Sequence, residues 1–238
     1  MTAAVESPGP PTLVVSEVFG PTFQGEGPTL GRRAAFVRLG RCNLDCRWCD
    51  SAYTWDWDRF DPAVELAERP VADVVAEVEA MGVDRVVVTG GEPLLQQRRL
   101  QPFLDAAAER GWAVEIETNG TLAPTDTTTA AVERFNVSPK TSNSGVPRDK
   151  AIVPEALAAL VATGKAAFKF VATGVEDLDE IAEVVETHGL APVYVMPEGT
   201  DAATITDRGR RLADAVTARG WHLTTRLHVL LWGDERGR

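Results

Sequence analysis

Residues 42–50 read C-N-L-D-C-R-W-C-D and hold all three cysteines of a 238-residue chain. A C-x3-C-x2-C loop presents three soft thiolates from one short wrapping segment, which suits three corners of an iron–sulfur cubane. The fourth iron would then carry no protein ligand, and an open iron is a reactive site. Two other readings stand beside this one. Structural zinc takes four Cys or His ligands, and His188, His222 and His228 lie far away in sequence, although a fold could bring one of them back. Three unrelated buried thiols would not need such tight spacing. The second chemical motif is T-G-G-E-P at 89–93, directly after the apolar run V-V-V. Paired glycines let a ligand approach the backbone, and Glu92 can accept from an ammonium. The plainer reading is a strand-to-helix turn with Pro93 at the first helical position.

These residues need a frame to hold them. Short β-rich runs at 34–39, 85–89, 113–118, 135–138, 167–171 and 192–196 alternate with helical patterns at 71–81, 94–110, 154–163, 178–188 and 205–219. Strand then helix, repeated, predicts an α/β fold: a mostly parallel sheet, closed or partly closed into a barrel, with helices outside. Runs at 13–19 and 222–231 are expected to add edge strands, and the Thr/Ala-rich patch at 121–131 reads as loop leading into a short helix. The unusual polar residues gather where strands stop: Thr89 to Glu92, Glu117 to Gly120, Ser138-Pro139-Lys140 and Met196-Pro197-Glu198-Gly199. Barrels carry their chemistry at that end. Turns use the same residue types, but four such ends on one rim favour an active-site face.

Composition bounds the partners. An apolar fraction of 44% is ordinary for a chain with a full core, and no apolar run reaches the roughly 18 residues that cross a bilayer. A formal charge of −11 argues against a broad phosphate-binding face, so a small molecule or a protein is the expected partner, with no nucleic acid and no membrane. An odd cysteine count and a start without a basic flank or apolar stretch predict a cytoplasmic protein with reduced thiols. Nothing at mid-chain reads as a linker, so a single domain over 1–238 is expected, with 1–12 as a flexible N-terminus.

C-x3-C-x-W-C followed about forty residues later by G-G-E-P at a strand end resembles the radical S-adenosylmethionine (radical SAM) superfamily. The segments E-V-F-G-P-T-F-Q-G-E-G (17–27), F-V-R-L-G-R-C (36–42), C-D-S (49–51), S-P-K (138–140) and L-H-V-L-L-W-G (227–233) are similar to the 7-carboxy-7-deazaguanine synthase family within it. The resemblance runs from about Glu17 to the C-terminus. It implies a trimmed radical SAM barrel, a [4Fe–4S] cluster held by Cys42, Cys46 and Cys49, SAM, and Mg2+. It implies a reaction as well: a 5′-deoxyadenosyl radical takes a hydrogen from 6-carboxy-5,6,7,8-tetrahydropterin, the ring contracts, and ammonia leaves. A flavodoxin or ferredoxin would supply electrons, and a homodimer is expected. Glycyl-radical activases share the cysteine spacing and remain the runner-up, and a non-catalytic zinc-stapled module is the rival from another class.

Site roles follow from the same resemblance. Phe23, Gln24, Gly25 and Glu26 match the pterin-binding segment, and a carboxylate there can take paired N–H donors; a Gly-rich turn with solvated tips is the alternative. Arg38 would clamp the substrate carboxylate through two parallel hydrogen bonds, or else form a structural ion pair. Thr89 and His228 match substrate-contacting positions, with His228 equally readable as a packed histidine in an apolar strand. Trp48 would lie near the adenine, with Cys49 and Asp50 beside it, and Gly90, Gly91 and Glu92 would receive the methionine amine. Ser138, Pro139 and Lys140, and then Met196, Pro197, Glu198 and Gly199, match SAM-binding strand ends. Ser51 stands where many members carry Thr and would ligate Mg2+ through its hydroxyl, with a turn or helix-capping role as the alternative.

Overall fold

The structure, a computed structural model, describes residues 9–238. Most of the stretch expected to be flexible, residues 1–8, lies outside the described residues, and Thr12 already opens the first strand. Among the described residues one sheet has nine strands: β1 Thr12–Phe23, β2 Arg33–Leu39, β3 Ala67–Pro70, β4 Arg85–Gly90, β5 Ala113–Thr118, β6 Arg134–Val137, β7 Ala166–Ala172, β8 Val193–Pro197 and β9 His222–Leu223, in the order β3-β1-β2-β4-β5-β6-β7-β8-β9. From β2 through β4 to β9 every neighbouring pair is parallel, while β1 and β3 add an antiparallel edge.

The helices are α1 Pro62–Glu65, α2 Val71–Ala80, α3 Gln97–Glu109, α4 Asp126–Ala131, α5 Arg148–Ala151, α6 Pro154–Ala162, α7 Leu178–His188, α8 Ala202–Ala218 and α9 Leu227–Trp232. Their ends follow local chemistry. The side chains of Thr125 and Asp201 accept from the backbone N–H groups of Thr128 and Thr204 to start α4 and α8, and Gly189 takes the left-handed conformation that stops α7. The short helix expected after the Thr/Ala-rich loop is α4. The apolar run at 222–231 differs from expectation: only His222 and Leu223 pair as a strand, and Leu227–Trp232 coil into α9. A short apolar run carries neither period clearly, and Gly233 supplies the helix stop.

Alternation along the strands sorts the two faces of the sheet. Ala35, Val37 and Leu39 of β2, Val86 and Val88 of β4, Val114 and Ile116 of β5, and Phe168 and Phe170 of β7 join the main apolar core under the helices. The residues between them face the concave side, where Ala34, Phe36 and Val87 form a small apolar layer packed by Phe19. Above and around that layer the concave face is polar: Arg38, Thr89, Glu115, Glu117, Asn136 and Lys169. The sheet is open, and the gap between its two edges is bridged by loops, with the Leu227 N–H donating to the Gly25 carbonyl at 2.8 Å and the Gly27 N–H to Thr224 Oγ1 at 3.0 Å. The result is a trimmed barrel of mostly parallel strands. No helix among the described residues is long and apolar enough to cross a membrane.

Candidate active site

β2 runs straight into the cysteine loop through Arg41, whose φ of 74° turns the chain over the rim. Cys42, Cys46 and Cys49 all line one cavity of about 510 Å3 on the concave face. Burial pushes the Cys42 thiol up to about 11 and raises that of Cys46, so metal binding there must release protons. N–H donors meet the sulfurs: Leu44 N–H to Cys42 Sγ at 3.4 Å and the Trp55 indole to Cys49 Sγ at 3.3 Å. Among the described residues no group of three or more His, Cys, Asp or Glu side chains is drawn together tightly enough to hold a single ion. Three thiols from one short loop around a single cavity suit three corners of a cluster. Ser51 is buried on the same wall and occupies the N-cap position of a short 3-10 turn, yet its hydroxyl makes no capping bond and lies 3.7 Å from Cys49 Sγ. That leaves a hard oxygen donor free on the cavity wall.

The opposite wall is built on charge. Glu26 is held by Lys169 and, at 3.4 Å, by Arg226, and Arg226 also pairs with Asp50 and donates to the Gly199 carbonyl at 2.6 Å. Burial alone would raise the Glu26 pKa, but Lys169, Arg226 and His228 outweigh it and draw it down to about 2. Glu26 is therefore a permanent carboxylate. Burial works against the Lys169 charge, and Glu26 and Glu117 overcome it, so this ammonium also persists. Gln24 is a buried strut: its amide N–H2 donates to Glu117 at 3.1 Å, and its carbonyl takes the Glu26 N–H at 3.1 Å. Gly25 has its reason in packing, because a Cβ there would run into the His228 imidazole. Thr89 donates to the other oxygen of Glu117 at 2.8 Å. Arg38 spends its Nε on Glu17 at 2.6 Å and lines the cavity, and among the described residues its two terminal nitrogens make no hydrogen bond. It thus makes the structural ion pair and keeps a fork free. Phe23 sits at the rim, stacked on Trp232 with ring centroids 6.4 Å apart.

One expectation is corrected. His228 belongs to α9, not to a strand, although it still lines the cavity. Glu92 is fully buried behind the wall, where Leu94 N–H, Thr118 Oγ and Asn119 N–H donate to it at 2.9, 2.8 and 2.7 Å. These bonds brace the β4 end, with two donors on Oε1 and one on Oε2. Gly90 and Gly91 do line the cavity, but a Cβ on either would strike the backbone of Leu39 or Arg41. They let β4 nest against the start of the cysteine loop.

The remaining SAM-side positions divide. Ser138, Lys140 and Met196 line the cavity. The Lys140 ammonium lies 5.6 Å above the Trp48 ring and donates to both oxygens of Ser138 at 2.8 Å. The Trp48 indole donates to the Asn143 carbonyl at 3.0 Å, which fixes the ring against the cavity. Pro139, Pro197, Glu198 and Gly199 do not line it; Glu198 pairs with Arg208, and Gly199 offers its carbonyl to Arg226. The sequence assigned no role to Lys169, Arg226, Asn136 and Trp55, and it marked Glu117 only as part of a polar strand end. Two of them left a signal: a lysine inside the apolar run A-F-K-F-V and an acid at every second position of A-V-E-I-E-T mark polar residues aimed into a barrel.

A parallel trimmed barrel with a three-cysteine loop at the end of its first parallel strand defines the class, and the radical SAM superfamily model matches residues 37–191. Over 231 residues the chain is 39% identical to the 7-carboxy-7-deazaguanine synthase of Pyrobaculum aerophilum, covering 96% of this chain and 98% of that one. It is 28% identical to that of Bacillus subtilis, over 94% of this chain and 98% of the other. The crystal structure of QueE from Escherichia coli superposes with a TM-score of 0.69 at 26% identity, covering 91% of this chain and 95% of that one. The chain belongs to the 7-carboxy-7-deazaguanine synthase family of the radical SAM superfamily. Neither the activase nor the zinc-module alternative is favoured by these matches.

Proposed function

We propose that the protein converts 6-carboxy-5,6,7,8-tetrahydropterin to 7-carboxy-7-deazaguanine with loss of ammonia, using a [4Fe–4S] cluster, SAM and Mg2+. The observation that carries this is the opening of the cysteine loop and of the Gln24–Glu26 segment onto one cavity. When bound, the cluster and SAM supply a carbon-centred radical able to take a hydrogen from the substrate. The net change is redox-neutral, since one nitrogen leaves as ammonia and the cosubstrate is restored, so the protein's task is placement and charge.

Each wall has a part in that placement. The free guanidinium fork of Arg38 takes the substrate carboxylate in a bidentate pair. Glu117 and Glu26 accept from the donor-rich edge of the pterin, and the Lys169 ammonium lies beside them for an oxo group. Ser51 would offer Mg2+ an oxygen ligand, and the metal would supply positive charge for the substrate anion. Trp48, Ser138, Lys140 and Met196 receive SAM, with Gly90 and Gly91 offering backbone beside it. The chain works as a single domain and as a homodimer in the cytoplasm, with a flavodoxin or ferredoxin as electron donor. The test mixes reconstituted protein, SAM, reductant, Mg2+ and the pterin without oxygen. Mass spectrometry should detect the deazaguanine acid, and SAM cleavage without that product would overturn the substrate assignment.

A further inference from the structure

The cysteine loop is followed by A-Y-T-W, and the 3-10 turn Ala52–Thr54 ends on Trp55. Its backbone is fixed by the Trp55 N–H donating to the Ala52 carbonyl at 3.0 Å. The side chain turns back along the loop, so that indole Nε1 lies 3.3 Å from Cys49 Sγ, and no other acceptor is recorded for it among the described residues. Indole is a donor only. A partly buried N–H that points at a sulfur and at nothing else has its purpose in that sulfur.

A thiolate bound to iron is a better acceptor than a thiol, and its negative charge grows when the cluster takes an electron. A donor held at fixed distance therefore stabilises the reduced state more than the oxidised one and raises the potential, one of the general levers on iron–sulfur centres. Neighbouring features do not replace it. Ser51 Oγ is farther from the same sulfur, at 3.7 Å, and the Leu44 N–H serves Cys42. We propose that Trp55 is a positioning residue that sets the reduction potential of the cluster through its hydrogen bond to Cys49. This rests on the three cysteines holding the cluster.

The experiment is an EPR-monitored redox titration of reconstituted protein, with iron and sulfide content measured on the same samples. Two variants remove the N–H: Trp55→Phe, and replacement of Trp55 by 3-benzothienylalanine, which keeps the bicyclic shape and exchanges N–H for sulfur. Both should show a reduced-to-oxidised cluster ratio about tenfold lower at the wild-type midpoint, equivalent to 59 mV for a one-electron couple. Trp57→Phe is the control, since Trp57 is exposed and outside the cavity lining, and it should match wild type. A benzothienylalanine variant with full cluster content and the wild-type potential would overturn the proposal while leaving the cluster assignment intact. Absence of any cubane in wild-type protein would overturn both. A Trp55 that merely packs the loop would change loading or thermal stability without moving the potential of the isostere.

Discussion

Glu115 and Glu117 stand two residues apart on β5 and face the same concave side, yet they live in opposite environments. Glu115 is fully buried and wrapped by donors: Arg85, Thr29 Oγ at 2.8 Å and Asn136 Nδ2 at 2.9 Å, with Glu133 closing on Arg85 at 3.0 Å. Glu117 is met by two neutral donors, from Gln24 and Thr89, and borders the cavity. The first is a floor, where Arg85 meets the buried carboxylate and neutral donors complete its shell. The second is a working wall, where neutral donors hold the carboxylate directly and leave it facing the cavity. Burial of an ionised group therefore has two uses within one strand, and the identity of its partners decides which.

The comparison breaks most readily at the floor. Arg85→Met leaves Glu115 buried without its counter-charge, and removing one partner of such a pair costs about 3–5 kcal/mol. Chemical denaturation should report that loss, and the double variant Arg85→Met with Glu115→Gln should recover most of it. A single-variant loss under about 1 kcal/mol would mean the floor is no more than a surface pair.

Glu26 sharpens the contrast through pH. Its carboxylate is held at about 2 in the fold against an ordinary 4.5. A lowered folded pKa gives stability that is complete above the ordinary value and is lost as pH falls toward the folded one. The pair network should thus contribute ~3 kcal/mol at neutral pH and lose it between pH 4.5 and 2. Comparing acid titrations of unfolding free energy in wild type and Glu26→Gln checks this. Parallel curves through that window would refute it.

Glu117→Gln keeps the shape and one acceptor but deletes the charge that faces the cavity. Its expected effect is on catalysis, since hydrogen bonds to charged groups contribute about 1.5–3 kcal/mol, or roughly 10- to 100-fold in kcat/KM. Its melting temperature should change little compared with the loss in Arg85→Met. Equal stability losses in the two variants would erase the distinction between floor and wall.

How much of this was open to a reader of the sequence differs by kind of feature. The β/α alternation, the capping glycines and the cysteine loop are local, so strands, helices and the cluster site were legible from short windows. Polar residues inside strands also carry a signal, as Lys169 and the pair Glu115 and Glu117 demonstrate. Partnerships were not legible. Glu26, Asp50 and Arg226 meet across 24 and then 176 positions of chain, counted from their numbers, and only the curvature of the sheet brings them together. The motif around Glu92 was plain, but its donors from Thr118 and Asn119 come from another strand end and could be read only from the fold. The α9 run misled because six residues, Leu227–Trp232, are too few for a helical period to stand out.

The smallest effect is expected where the wall meets solvent. Arg236 bridges Glu65 at 2.7 Å and Glu17 at 3.2 Å and lies 3.8 Å from the Tyr53 ring centroid, while Glu17 is the same carboxylate that holds Arg38. Its side chain is 43% exposed, so each pair contributes no more than about 1 kcal/mol and is screened by salt. Arg236→Ala should leave unfolding free energy within about 1 kcal/mol of wild type and kcat unchanged. Glu17 would keep Arg38 and the Tyr53 hydroxyl on Oε1 but lose its contact on Oε2, so the backing of the Arg38 fork would loosen. The predicted signature is a KM for the pterin about threefold higher at low ionic strength, with the difference shrinking as salt is added. A collapse of kcat would instead make Arg236 part of the working wall, and the boundary between charges that hold and charges that act would have to be drawn further out.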